Sequence, residues 1–282
     1  EAAPAVRPEP AAKTVTAAKT SAPVSVPAPA APAAKAPAPA PSSVAPAPAK
    51  SLRDRLDFAK GLFARDMYDM ALDEYQAILR DTGAKEASGE ALVGAGETLF
   101  FLKRYPEARE AFKTYVERYP DAPDADKARQ RMGETLLYEG KSQEAFTIFH
   151  ELRSSKNEGV RVAGRYYEGK ISFDQGYLNA AAAHFREVVD SPEPGPYTPY
   201  ARYYLGEVLL SQESPDDASK LFAEAAKSTE PAVQQLAWMG SGKALSQLNK
   251  PDEAAVYFKK AYESDADAGL AEDALLNYMN AL

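Results

Sequence analysis

Six times along this chain, a small residue is followed twelve positions later by alanine and, four positions further on, by an aromatic ring. The small residues are Ala59, Gly96, Gly133, Gly169, Gly206 and Gly242, and the alanines are Ala71, Ala108, Ala145, Ala181, Ala218 and Ala254. The rings belong to Tyr75, Phe112, Phe149, Phe185, Phe222 and Phe258, and the register returns every 36 or 37 residues. A period of this length marks a stack in which each unit buries its apolar face only against its neighbours.

Each unit reads as two helical patterns around a short polar turn, as in "LKRYPEA", "YEGKSQEA" and "LNKPDEAA". Between units, "RYPDAPDAD", "SPEPGPYTP" and "STEP" place prolines where one helix stops and the next opens. Glycine inside a helix costs about 1 kcal/mol relative to alanine, so its recurrence needs a compensating gain. Close approach of the two helices of a hairpin supplies one, with the aromatic ring filling the space beside the contact.

This spacing resembles the tetratricopeptide repeat, whose pattern runs glycine, alanine, aromatic, proline; Gly96, Ala108, Phe112 and Pro120 match all four. Only Trp238 holds the family's early tryptophan position, while Arg55, Arg129, Arg165 and Arg202 take it elsewhere. The resemblance implies an all-α fold, a right-handed α-solenoid of about six helical hairpins. Repeats are expected at about 52–88, 89–125, 126–161, 162–198, 199–234 and 235–269, closed by a capping helix at 270–282. Leu275, Leu276, Met279 and Leu282 would give that cap its buried face; were they exposed, they would form a dimer contact.

With the recurring small residue numbered eight in each unit, positions four, eight and eleven share the face toward the second helix. Positions two, five, nine and twelve lie opposite, and in proteins like this one they line the concave groove. The expected groove residues are Glu97, Phe100, Gln130, Glu134, Tyr166, Lys170, Phe173, Tyr200, Tyr203, Glu207, Met239 and Lys243. In the doubled tyrosines of "GRYYEGK" and "ARYYLGE", Tyr166 and Tyr203 therefore face the groove or pack, and Tyr167 and Tyr204 fall in the seam between units. A trough of charge and aromatic surface suits an extended or helical peptide. No asparagine occupies position nine, which argues against the carboxylate clamp of the family's chaperone-binding members.

Residues 1–50 are a different material, holding 12 of the 22 prolines and no aromatic residue. Such a segment cannot bury enough apolar surface to offset its ordering entropy, so it is expected to be a disordered, polyproline II-like tether before a solenoid at 51–282. It carries a net charge of +3 in a chain of −8, leaving −11 on the rest, which argues against nucleic acid as a partner. There is no cysteine, so thiolate chemistry and disulfides are excluded.

The two histidines, His150 and His184, fall in second helices at different repeat positions, and neither has a histidine at i+4. A helical metal pair, a GxSxG elbow and a phosphate loop are all lacking, so no enzyme, metal or cofactor is expected. Within the family, the "A…F…RYP" and "YYLGE" wording looks most like bacterial cell-envelope members, the Tol-Pal-associated division coordinator and outer-membrane assembly lipoproteins. That implies a periplasmic scaffold for a protein or peptide, tethered to a membrane by a segment upstream of Glu1. Two alternatives stay open: a cytoplasmic adaptor subunit of a multiprotein complex, and the recruiting arm of an envelope enzyme.

Overall fold

The computed structural model describes residues 51–81, 88–192, 194–264 and 266–282, so the expected tether lies outside the described residues. Thirteen helices and no strand are found among them. They pair as α1 (Leu52–Phe63) with α2 (Tyr68–Arg80), α3 (Ser88–Phe101) with α4 (Tyr105–Arg118), and α5 (Ala125–Tyr138) with α6 (Ser142–Leu152). The series continues with α7 (Glu158–Asp174) and α8 (Leu178–Val189), α9 (Thr198–Ser211) and α10 (Pro215–Ala225), and α11 (Pro231–Gln247) and α12 (Pro251–Tyr262). A thirteenth helix, α13 (Ala268–Ala281), packs on α12 and α11. The fold is the helical-hairpin solenoid that the repeat demanded.

The six hairpin turns are built alike. Each has one residue in the left-handed region: Asp66, Lys103, Gly140, Gly176, Glu213 and Asn249, with φ between 57° and 79°. The amide of the following residue reaches back five positions, as in Arg104 N–H to Leu99 O at 2.9 Å and Ser214 N–H to Leu209 O at 2.9 Å. The left-handed residue itself bonds three positions back, Lys103 N–H to Phe100 O at 3.0 Å. These are the paired bonds of a Schellman cap, which satisfy carbonyls that the ending helix leaves free. An L-side chain in this region costs roughly 1–2 kcal/mol, which glycine avoids. Glu213→Gly and Lys103→Gly are therefore each expected to raise stability by about 0.5–1 kcal/mol in urea unfolding, offset in part by glycine's freedom in the unfolded chain. Destabilisation by either change would contradict the strained-turn account.

Packing explains the periodic glycines. A Cβ built on Gly96 would lie 2.8 Å from the Phe112 ring, on Gly133 2.6 Å from Phe149, and on Gly206 2.6 Å from Phe222. Gly169 and Gly242 meet Phe185 and Phe258 in the same way. Each ring thus presses on the backbone of its own first helix, and Phe112, Phe149, Phe185 and Phe222 are 0 % exposed. The other side of the ring meets position six of the next unit. Tyr167 stacks on Phe149 at 4.4 Å and Tyr204 on Phe185 at 5.4 Å, so both tyrosines belong to the seam. At Gly94 and Gly240 the rings of Tyr75 and Phe222 lie directly against the helix backbone.

Two features depart from the sequence reading at the C-terminal end. Leu276, Met279 and Leu282 are exposed and Leu275 is only partly covered; the buried residue of α13 is Ala274. The helix sits with Ala274, Leu270 and Tyr278 toward the core that contains Met239 and Phe258. Its orientation is set by Gln235, wholly buried in α11. The Gln235 amide donates to the carbonyls of Ala261 at 3.0 Å and Asp267 at 2.9 Å, and its oxygen accepts from Asp267 N–H at 2.8 Å. That clamp fixes the loop entering α13, and the spacing of apolar residues along the helix gives no sign of it.

Candidate functional site

The face formed by the first helices is where the groove was expected, and most of it is filled by the protein's own side chains. Tyr166 is 0 % exposed, lying 4.9 Å from Tyr197 in a stacked arrangement and 5.1 Å from Tyr167. Tyr203, Tyr200, Met239, Phe100, Glu134 and Lys170 are likewise buried, so the expected aromatic contact surface at Tyr166 and Tyr203 is corrected: these rings are core. For Tyr166 the reason lies in the α8–α9 connection, which carries Tyr197 over Tyr166 and Tyr167, while the Tyr203 ring lies against Tyr204 and Phe222. Gln130 ties the connection down by donating to the Tyr197 hydroxyl at 2.8 Å and to Glu134 at 2.8 Å.

Of the expected residues, Glu97, Gln130, Phe173, Glu207 and Lys243 keep partial exposure. The charges at position nine are paired rather than free. Lys243 meets Glu207 at 3.1 Å across units, and Lys170 meets Asp174 at 2.5 Å along its own helix. Arg131 bridges Glu97 and Glu134 while lying over the Phe100 ring at 4.3 Å. Burial lowers the basicity of the Arg131 guanidinium, but the charges of Glu134 and Glu97 outweigh it and hold the group above its ordinary value.

The open part of the face lies between α3 and α5. The first helices of the other consecutive units approach more closely, and here a cleft of about 540 Å³ remains. Arg131 occupies position six of its unit, where Tyr167 and Tyr204 cover the preceding ring; turned over Phe100 toward the glutamates, it leaves Phe112 lining the cleft. Tyr119 is partly exposed at the edge of the cleft, Tyr75, Phe112 and Tyr115 are buried behind it, and Gly89, Val93, Gly94 and Ala128 lie beside them. One wall carries Glu90 and Glu97 from α3, and the other Lys127 and Arg131 from α5, with Lys60 of α1 bonded to Glu90 at 2.5 Å. That bond from Lys60 holds the Glu90 carboxyl below the usual range, and burial, followed by the charge of Glu90, pushes the Tyr75 hydroxyl up to about 12. Glu97 is the one residue of the expected groove set that lines this cleft. Gly89 at position one, where the other units carry Leu52, Asp126, Val162, Pro199 and Gln235, was the available signal.

On the opposite face the two histidines converge, although their repeat positions differ. His150 Nδ1 lies 2.7 Å from Glu168 Oε1, and His184 Nδ1 lies 3.6 Å from Oε2 of the same wholly buried carboxylate. Arg153 approaches that carboxylate at 3.5 Å and bonds Glu187 at 2.9 Å, so α6, α7 and α8 share one charge cluster. Among the described residues no three His, Cys, Asp or Glu side chains are placed to hold a metal ion. No helix of the described residues is long and apolar enough to cross a membrane.

Hairpins joined by Schellman turns and closed by glycine–aromatic contacts define a helical-repeat protein with a cleft among its first helices. The chain belongs to the tetratricopeptide repeat family, which is matched over residues 56–123, 166–232 and 203–271. No curated protein matches the sequence. Among solved structures it is similar to PilW, described as a widely conserved type IV pilus biogenesis factor, at 16 % identity and a TM-score of 0.61, over 79 % of this chain and 98 % of that one. A tetratricopeptide repeat protein from Parabacteroides merdae is similar at 14 % identity and a TM-score of 0.60, over 81 % and 84 % of the two chains. The apo form of the quorum sensor NprR from B. thuringiensis reaches a TM-score of 0.65 at 9 % identity, over 80 % of this chain and 69 % of that one. At these identities the likeness is one of fold.

Proposed function

We propose that this chain is a non-catalytic interaction scaffold that holds a partner protein or peptide in the cleft between α3 and α5. The observation that carries the reading is the cleft itself, the place on the first-helix face where two consecutive first helices, α3 and α5, stand apart and leave about 540 Å³ between them. Apolar floor and oppositely charged walls are the usual division of labour in peptide grooves, the floor giving affinity and the rim orientation. A photo-crosslinking amino acid at Val93 is expected to capture a partner in the native host, and the same group at exposed Lys220 on α10 is expected to capture none. Capture confined to Lys220 would overturn the assignment.

The envelope setting is part of the same proposal. An acidic repeat domain behind a lysine- and proline-rich segment suits a protein tethered to a membrane and reaching into the periplasm. Fractionation of the native host is expected to place the protein in the periplasmic or membrane fraction. Recovery from the cytoplasm would favour an adaptor of a cytoplasmic complex instead.

A further inference from the structure

The repeat register runs on past the sixth hairpin. Asp267, the N-cap of α13, lies 37 residues after Glu230, the N-cap of α11, and buried Ala274 lies 37 after buried Ala237. The same step carries Gly242 to Met279, so position eight of α13 is methionine, and positions four and eleven are Leu275 and Leu282. Those three positions form the face that the second helix covers in each of the six hairpins. On α13 it is open among the described residues. Met279 is 64 % exposed and Leu282 84 %, with Leu276 beside them at 60 %.

We infer that this face joins two copies of the chain, α13 against α13, antiparallel about a two-fold axis at Met279. Position eight decides against the cover used elsewhere in the stack. In the hairpins a ring presses on the backbone there, and even a Cβ would lie 2.5–2.8 Å from it at Gly96, Gly133, Gly169, Gly206 and Gly242. A methionine side chain closes that space to a second helix of the repeat's own kind. The spacing of Leu275, Met279 and Leu282 is instead the four-then-three seam by which two helices interlock through aliphatic side chains. It is also close to symmetric about Met279. The two-fold therefore sets Leu275 of each copy against Leu282 of the other, and Met279 against its own mate.

Charge favours an identical partner over an acidic or basic one. No charged side chain falls between Ala274 and Leu282, so the seam offers no counter-charge to a foreign helix. Glu272 and Asp273 lie outside it. The antiparallel pairing keeps each of them about 18–21 Å along the axis from its mate, well beyond the screening length at physiological salt. The contact uses the same patch on both copies, so it closes at two and does not propagate. A single helix face is a small interface, and the dimer is expected to be weak, with a dissociation constant of about 10–100 µM.

Sedimentation of the full chain at about 5–500 µM is expected to pass from monomer to dimer. Met279→Asp together with Leu282→Asp should weaken association at least tenfold. Both side chains are exposed in the single chain, so the circular dichroism spectrum and melting curve should stay as in the wild type. Because the chain has no cysteine, single-cysteine variants read the geometry without charge changes in the seam. Met279→Cys should form a disulfide-linked dimer under mild oxidation, since its mate lies directly across the axis. Asp273→Cys, exposed on the same helix but about 18 Å from its mate, should not. A monomer at every concentration, a dimer unmoved by the double substitution, or equal cross-linking at positions 273 and 279 would each overturn the inference.

Discussion

Removing the Phe222 ring is expected to cost about 3–5 kcal/mol, the range for deleting a large buried aromatic side chain. The ring is 0 % exposed and pressed from both sides, with the Cβ positions of Gly206 and Gly240 only 2.6 and 2.4 Å from its edge. Gly240→Ala alone should destabilise as well, by about 1–3 kcal/mol, because the new methyl group forces the ring or the helix to move. The combination is the sharper test. With Phe222→Ala already present, the methyl group enters a cavity and alanine regains about 1 kcal/mol of helix propensity over glycine. Gly240→Ala should then change sign and stabilise. Urea denaturation of the wild type, both single variants and the double variant gives the coupling energy. Simple additivity would show that the glycine serves something other than contact with this ring.

How much of this was legible beforehand follows from which interactions are local in sequence. The hairpin is local: Gly206 and Phe222 are sixteen residues apart, and the recurrence of that pair is enough to pair the helices. The placement of Tyr167 and Tyr204 in the seam also came from helical geometry, because position six must face the neighbouring unit. The groove did not come through. Helical registry says that Tyr166 points away from its own second helix, and it does, but it cannot say what arrives from elsewhere to cover it. The covering group is Tyr197, in a proline-rich connection between units whose path no periodicity describes. The cleft was missed for the complementary reason. It exists because Arg131 turns toward Glu97 and Glu134 and over Phe100, a choice among rotamers settled by partners in two units. Likewise, His150 and His184 looked unrelated because their common partner, Glu168, lies on a third helix.

The doubled tyrosines provide the second large effect, now one of stability. Tyr166→Ala together with Tyr203→Ala is expected to abolish cooperative folding of the middle units. Each deletion removes a buried ring at about 3–5 kcal/mol, and domains of this size hold only about 5–15 kcal/mol in all. Retention of a native circular dichroism spectrum and melting curve by the double variant would show that these rings are on the surface after all. Tyr166→Phe separates ring from hydroxyl. The Tyr166 hydroxyl is buried and makes no hydrogen bond among the described residues, so removing it should stabilise by about 1 kcal/mol. Alkaline pH reads the same burial. Desolvation, with the neighbouring tyrosines Tyr204, Tyr200 and Tyr197, holds the Tyr166 hydroxyl well above its ordinary value of 10.0, and Tyr203 is raised by burial, then by Glu207. Above about pH 10 the unfolded chain loses these protons while the folded chain keeps them. Stability should therefore fall as pH rises beyond that point, and less steeply in Tyr166→Phe. An unchanged slope would mean that this hydroxyl reaches solvent in the folded protein, and the groove would have to be redrawn around it.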